Sequence, residues 1–207
     1  MKKKILALIL ARKGSTRLKN KNIKKINGKP LVQWTFEKLY KKNIRKLFTD
    51  VLVSTDSKKI INLAKKYNFL TPWLRPKKFS TKFSTSELSA LHALKWYENN
   101  NEILDGIFLF QPTSPFRTDS KIILAIKFFS KINKQIVSVC GKKTYKFNQN
   151  DINGSIYLTP VNILKKYGTF KKKGFLPLKM FNSLENADLD TQEDFNKCEK
   201  LFKKFKK

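Results

Sequence analysis

Four short apolar runs, Ile5 to Leu10, Phe48 to Ser54, Ile107 to Phe110 and Gln135 to Cys140, alternate with longer segments of helical periodicity. Runs of this length suit strands buried on both faces. The intervening segments carry apolar residues at helical spacing: Pro30 to Lys41 through Leu31, Trp34, Thr35 and Leu39, and Ser57 to Tyr67 through Ile60, Ile61 and Ala64. Ser86 to Glu98 adds Leu91, Leu94 and Trp96, and Asp119 to Ile132 adds Ile122, Ile123, Ile126 and Phe129. Strand and helix in alternation predict an α/β, doubly wound, mostly parallel sheet with helices on both faces. Such sheets bind ligands beyond the carboxyl ends of their strands. The loops after Leu10, Ser54, Phe110 and Cys140 are therefore expected to carry the chemistry.

The rest of the chain reads as a strand at Ser155 to Leu158, entered by Asn153-Gly154, a short helix at Pro160 to Tyr167 and an extended segment at Phe175 to Phe181. Thr191 to Asp194 resembles a capping box that opens a final helix. The 207 residues contain no internal repeat or low-complexity linker, so one domain over 1–207 is the economical reading. No run of 18 apolar residues occurs, and the apolar stretch after Lys2 to Lys4 leads into a polar loop without a cleavage signal. The expectation is a soluble cytoplasmic protein without a membrane partner. Cys140 and Cys198 are too few and too far apart for a disulfide framework or a metal knuckle.

The formal net charge of +30 suggests a polyanion partner. The lysines, however, are spread along the whole chain and concentrate only in the tail, Lys197 to Lys207, and a preference for lysine codons produces the same pattern. No helix-turn-helix, zinc-finger spacing or aromatic RNA-binding signature accompanies them. A specific nucleic-acid partner is not expected, although nonspecific binding in low salt is.

Of the 45 basic residues only five are arginine, and two of these, Arg12 and Arg17, fall in the loop that follows the first strand. A guanidinium offers a rigid fork of donors that an ammonium cannot imitate, which suits bidentate contact with phosphate. The loop lacks Walker spacing, and its single glycine excludes the three-glycine dinucleotide fingerprint. Arg12 and Lys21 are placed to neutralise a triphosphate, with Ser15, Asn22 and backbone N–H groups near Gly14 as hydrogen-bond partners. The alternative is a solvated lysine-rich loop.

Asp56 and Ser57 read as the start of the next helix. In Gln111 to Thr118, two prolines lock a turn at the end of a buried strand and present Gln111 and Ser114, with Arg117 beside the following helix. Asp188 and Asp190 lie at i and i+2 of an extended segment and so face one side. Both can reach one Mg²⁺, which prefers hard oxygen ligands completed by substrate phosphates. Capping chemistry is the competing explanation; the local cluster of Glu185, Asp188 and Asp190 favours metal. His92, the only histidine, reads as structural.

Taken in order, several motifs resemble the acylneuraminate cytidylyltransferase family, the CMP-N-acetylneuraminic acid synthetases. They are Ala11-Arg12-x-Gly14-Ser15-x-Arg17-x-x-x-Lys21-Asn22, Gly28-Lys29-Pro30-Leu31, Val53-Ser54-Thr55-Asp56, Leu74-Arg75-Pro76, Leu91-His92-Ala93-Leu94, Gln111-Pro112-Thr113-Ser114-Pro115-x-Arg117-Thr118, Asn153-Gly154-Ser155-Ile156-Tyr157 and Asp188-Leu189-Asp190-Thr191. The resemblance implies a Rossmann-like nucleotidyltransferase that activates a 2-keto sugar acid with CTP and Mg²⁺, giving a CMP-sugar and pyrophosphate. By position it implies that Arg12, Gly14, Ser15, Lys21 and Asn22 hold the nucleotide and its phosphates, while Arg75 and Ser86 contact the cytidine. Gln111, Asn153 and Tyr157 face the sugar, Asp188 and Asp190 bind the metal, and Arg12, Lys21 and Asp190 carry catalysis.

Three departures bear on the sugar end. Only Gly141 to Ile152 separates Cys140 from Asn153, so the longer insertion that mediates dimerisation in the family is truncated and a homodimer is open. Asp151-Ile152 replaces the family's Arg-Pro, and Lys82-Phe83-Ser84-Thr85-Ser86 replaces Asp-Thr-Ala-Ser-Ser. The acceptor is thus open among sialic, pseudaminic, legionaminic and other 2-keto acids. A catalytically degenerate nucleotide binder and a basic nucleic-acid-binding protein are the alternatives.

Overall fold

A computed structural model describes residues 2–15, 17–141 and 149–205. Its main sheet has the order β4-β1-β5-β7-β6-β8, where β1 is Ile5–Leu10, β4 Asp50–Ser54, β5 Gly106–Phe110, β6 Ile136–Cys140, β7 Ile152–Pro160 and β8 Leu176–Met180. A two-residue ladder, β2 (Lys25–Ile26) with β3 (Lys29–Pro30), stands apart. β1 pairs in parallel with both β4 and β5, and β6 pairs in parallel with β8. Only β7 is reversed, antiparallel to β5 and β6. The sheet is mostly parallel, as expected.

The strand composition follows from burial on both faces. Along β1, Ile5, Ala7 and Ile9 enter one core while Leu6 and Leu8 enter the other, and β5 divides Phe108 and Phe110 from Ile107 and Leu109 in the same way. The first core takes Phe36 of α1 (Leu31–Tyr40), Ile60 of α3 (Lys58–Lys65) and Phe129 of α5 (Asp119–Ile132). The second takes Leu94 of α4 (Ser86–Asn100) and Leu164 of α6 (Val161–Tyr167). Helices thus cover both faces. The buried stripe of α1 is Leu31, Val32, Thr35, Phe36 and Leu39, whereas Trp34 turns to a third, smaller cluster. A four-residue helix, α2 (Lys42–Arg45), is too short to leave a periodic signal and escapes sequence reading.

That third cluster fixes the end of the chain. Leu189, Phe195 and Cys198 pack on Ile26 and Leu31, so α7 (Gln192–Phe205) is held beneath the first loop. Thr191 and Asp194 cap α7 reciprocally: the Asp194 N–H donates to Thr191 Oγ1 at 3.2 Å and the Thr191 N–H to Asp194 Oδ2 at 2.7 Å. This is the expected capping box. Among the described residues no helix is long and apolar enough to cross a membrane.

The chain leaves β1 for β4 on one side, then crosses back through α3 and α4 to β5 on the other. This reversal opens a crevice beyond the carboxyl end of β1, the standard place for a ligand in an open α/β sheet.

Candidate active site

A cavity of about 320 Å³ occupies that crevice. Loops after β1 and β5, the approach to α4 and the segment before α7 all reach it. Arg12, Ser15, Lys21, Asn22, Arg75, Ser86, Gln111, Asp188 and Asp190 line it together. Residues up to 178 positions apart in the chain thus meet at one place because four strand-end segments point the same way. Gly14, Asn153 and Tyr157 do not line it. Of the four loops expected to carry chemistry, the one after Cys140 runs into residues 142–148, outside the described residues, as does most of the shortened insertion.

The first loop is pinned at its base. The Ala11 N–H donates to Ser54 O at 3.1 Å, Thr55 Oγ1 donates to Ala11 O at 2.5 Å and the Lys13 N–H donates to Asp56 Oδ1 at 2.6 Å. Asp56 and Ser57 open α3 as expected, with Ser57 at the N-cap, but the Asp56 carboxylate itself braces the loop. Asn22 also acts inward, its Nδ2 donating to Arg12 O at 2.8 Å.

Cations gather on the walls. Arg12 Nη1 donates to Thr81 O at 2.7 Å, tying the first loop to the segment that leads into α4. Arg75 is 5% exposed, and its Nε and Nη2 have no hydrogen-bond partner among the described residues. Burial lowers its guanidinium to about 10; the Asp56 charge offsets part of this and the Arg12 charge adds to it. Arg75 lines the cavity, and buried donors without a partner call for one. Thr85, whose Oγ1 accepts from the Leu88 N–H at 3.2 Å, caps the 15-residue α4 at the cavity wall. The positive end of that helix dipole adds to the anion-binding character.

The two carboxylates line the same cavity. Leu189 is buried between them, so Asp188 and Asp190 turn to the other side, toward the cavity. The Leu189 N–H donates to Thr113 O at 2.8 Å, docking the pair against the loop after β5. Asp190 is ion-paired with both Lys21 and Arg17. Burial raises the Asp188 carboxyl above its ordinary 3.8, the Asp190 charge raises it further, and Thr113, Lys21 and Arg17 pull it back. Two hard oxygen donors close enough to repel one another fit a divalent cation completed by phosphate oxygens. Glu185 does not join them: it accepts from Thr118 Oγ1, and among the described residues no group of three His, Cys, Asp or Glu assembles. The expected acidic cluster is a pair, because Glu185 lies one turn back toward the start of α5.

At the far end, Asn153 uses both ends of its amide internally. Oδ1 accepts from Ser138 Oγ at 2.5 Å and the Ser155 N–H at 3.1 Å, and Nδ2 donates to Asn186 Oδ1 at 2.6 Å. Burial, aided by the Asp188 and Glu87 charges, pushes the Tyr157 phenol up to about 12. His92 packs between Trp73 and Phe79, and burial together with the Lys78 and Arg75 charges lowers its imidazole, in keeping with a structural histidine. Sequence reading noted Arg17 only as one of two first-loop arginines suited to phosphate, and assigned no role to Thr113 or Thr85. The rarity of arginine was the available signal for the first, and the other two carried none.

A doubly wound sheet with cations, a helix N-terminus and paired carboxylates around its switch point defines a nucleotide-handling enzyme. The cytidylyltransferase family model matches residues 6–155. A CMP-N,N'-diacetyllegionaminic acid synthase of Legionella pneumophila is 31% identical over 225 residues, covering 96% of each chain. An N-acylneuraminate cytidylyltransferase of Escherichia coli O18:K1:H7 is 37% identical over 143 residues, covering 67% of this chain and 32% of its own. Among solved structures, a CMP:2-keto-3-deoxy-manno-octonic acid synthetase complexed with CTP superposes with a TM-score of 0.69 at 14% identity, over 98% of this chain and 99% of that one. The last likeness is one of fold. The chain belongs to the cytidylyltransferase family and is a nucleotidyltransferase.

Proposed function

We propose that the protein joins CMP from CTP to the anomeric hydroxyl of a sialic-acid-like 2-keto sugar acid, releasing pyrophosphate, with Mg²⁺ as cofactor. The observation that carries this reading is the shared cavity, which Arg12, Lys21, Arg75, Asp188 and Asp190 all line, with Lys21 ion-paired to Asp190. The names of the relatives support the acceptor class, and the CTP complex of the synthetase with the same fold supports the nucleotide.

Each residue then has a defined task. Arg12, Lys21 and the N-terminus of α4 neutralise the triphosphate, and Arg17, already on Asp190, is within reach of the same charges. Arg75 and Ser86 hold the cytidine. Gln111 and Tyr157 face the acceptor, while Asn153 shapes the β7 turn behind them. Asp188 and Asp190 would hold Mg²⁺, which when bound offsets negative charge on the phosphates and the departing pyrophosphate. Attack of a hydroxyl on the α-phosphorus needs positioning and charge neutralisation above all, and these side chains provide both.

Pyrophosphate release measured with CTP, Mg²⁺ and a panel of 2-keto sugar acids tests the proposal. Asp190→Asn should lower turnover by about 100-fold or more while leaving the Tm within a few degrees. Full activity in that variant removes the metal assignment. CTP binding without turnover of any acceptor identifies a degenerate nucleotide binder instead.

A further inference from the structure

Two cations share the Asp190 carboxylate, and they are held unequally. The Lys21 side chain is 15% exposed and that of Arg17 67% exposed. Among the described residues the ion pairs of the two cavity carboxylates fall on Asp190 alone.

The fold builds the Arg17 contact in. Leu18, next to Arg17, packs against the third apolar cluster, and Leu189, next to Asp190, is buried within it. Apolar neighbours thus bring a first-loop residue to one near the end of the chain. The Asp190 backbone is steadied separately, its N–H donating to Asp194 Oδ2 at 3.0 Å. With the carboxylate anchored and the guanidinium in solvent, any change of partner falls to Arg17.

Charge balance says when that change occurs. Arg17 and Lys21 offset Asp188 and Asp190, two charges against two. A divalent cation on the carboxylates brings two further positive charges, which repel the cations already there. An exposed ion pair is weak and readily exchanged, whereas a largely buried charge stripped of its partner is strongly unfavourable. Lys21 therefore stays and Arg17 leaves. Arg17 lines the same cavity as Arg12, Ser15 and Lys21, and the paired donors of a guanidinium suit phosphate oxygens.

Resting on the function proposed above, we infer that Arg17 exchanges partners: it holds the Asp190 carboxylate in the nucleotide-free enzyme and passes to the triphosphate when metal and CTP enter, opposing metal alone and favouring the two together. Through this one side chain the two ligands reinforce each other.

Binding of Mn²⁺ to the protein alone, followed by the electron spin resonance of the free ion, tests the exchange without turnover. Arg17→Gln should bind Mn²⁺ about two- to fivefold more tightly than the wild type, the factor expected for losing one exposed competing charge. Its Kd for CTP, by calorimetry without metal, should rise about tenfold with the loss of a charge-assisted contact. Arg17→Lys should keep the wild-type Mn²⁺ affinity because a positive charge still reaches Asp190, yet bind CTP less well because the fork of donors is gone. Both variants should melt within a few degrees of the wild type, the changed side chain being so exposed. Equal or weaker Mn²⁺ binding in Arg17→Gln, or an unchanged CTP Kd, overturns the exchange and leaves the proposed function standing. A much lower Tm with Mn²⁺ and CTP weakened alike overturns it in favour of a structural ion pair. Mn²⁺ binding that is undetectable in wild type and variants, with and without CTP, is instead the failure of the metal assignment, and the exchange falls with it.

Discussion

Replacing Arg75 with methionine should move stability and nucleotide affinity in opposite directions. Arg75 is 5% exposed, its Nε and Nη2 have no partner among the described residues, and burial lowers its guanidinium to about 10. A fall of that size corresponds to about 3 kcal/mol of cost for holding the charge there. Methionine keeps much of the aliphatic stem and removes the charge. Allowing for imperfect packing, we expect the nucleotide-free variant to gain about 1–2 kcal/mol, a Tm rise of about 2–8 °C for a chain of this size. Binding should suffer, because each charge-assisted hydrogen bond lost is worth about 1.5–3 kcal/mol, or about 10- to 100-fold in Kd. Calorimetric melting without ligand and titration with CTP measure the two effects separately. A variant that melts earlier and binds CTP as before would refute the reasoning, since it would mean that Arg75 is already satisfied within the fold.

Two further tests concern the scaffold. Gly106→Ala places a Cβ 2.5 Å from Phe129 Cζ in the buried core, so it should cost about 1–3 kcal/mol in denaturant unfolding without changing turnover per folded molecule; an unchanged midpoint would show that the ring can move. Asp119 provides a pH test. Burial alone would raise its carboxyl, but Lys38 at 2.5 Å, Asn43 and Lys41 outweigh it and hold the carboxyl below 3.8. A lowered folded-state value stabilises above the unfolded value and is lost as pH falls through the folded one. The destabilisation of Asp119→Asn, about 1 kcal/mol or less for so accessible a pair, should therefore be present at neutral pH, begin to shrink near pH 3.8 and vanish only at lower pH, once the folded-state value is passed. A constant difference across that range would count against the ion pair.

The alternation of strand and helix was legible because it is a local pattern: each strand buries both faces and each helix one stripe. The same holds for the α7 capping box, whose Thr191 and Asp194 are three residues apart. Asp56 shows where local reasoning stops. Its position before α3 predicts a cap, yet the Lys13 N–H, 43 residues earlier, claims its carboxylate. Glu185 was likewise grouped with Asp188 and Asp190 by proximity along the chain, although Thr118 takes it.

The amino-acid order alone determined the sheet class, the loop at which phosphates are expected and the identity of the carboxylate pair, since these rest on periodicity and on rare residue types at short spacing. Only the tertiary structure decided that Arg75 is buried with Nε and Nη2 unpartnered among the described residues, and that Arg17 and Lys21 meet Asp190. Those facts depend on which strand ends become neighbours after β1 divides the sheet, and contact between distant segments leaves no mark on either one.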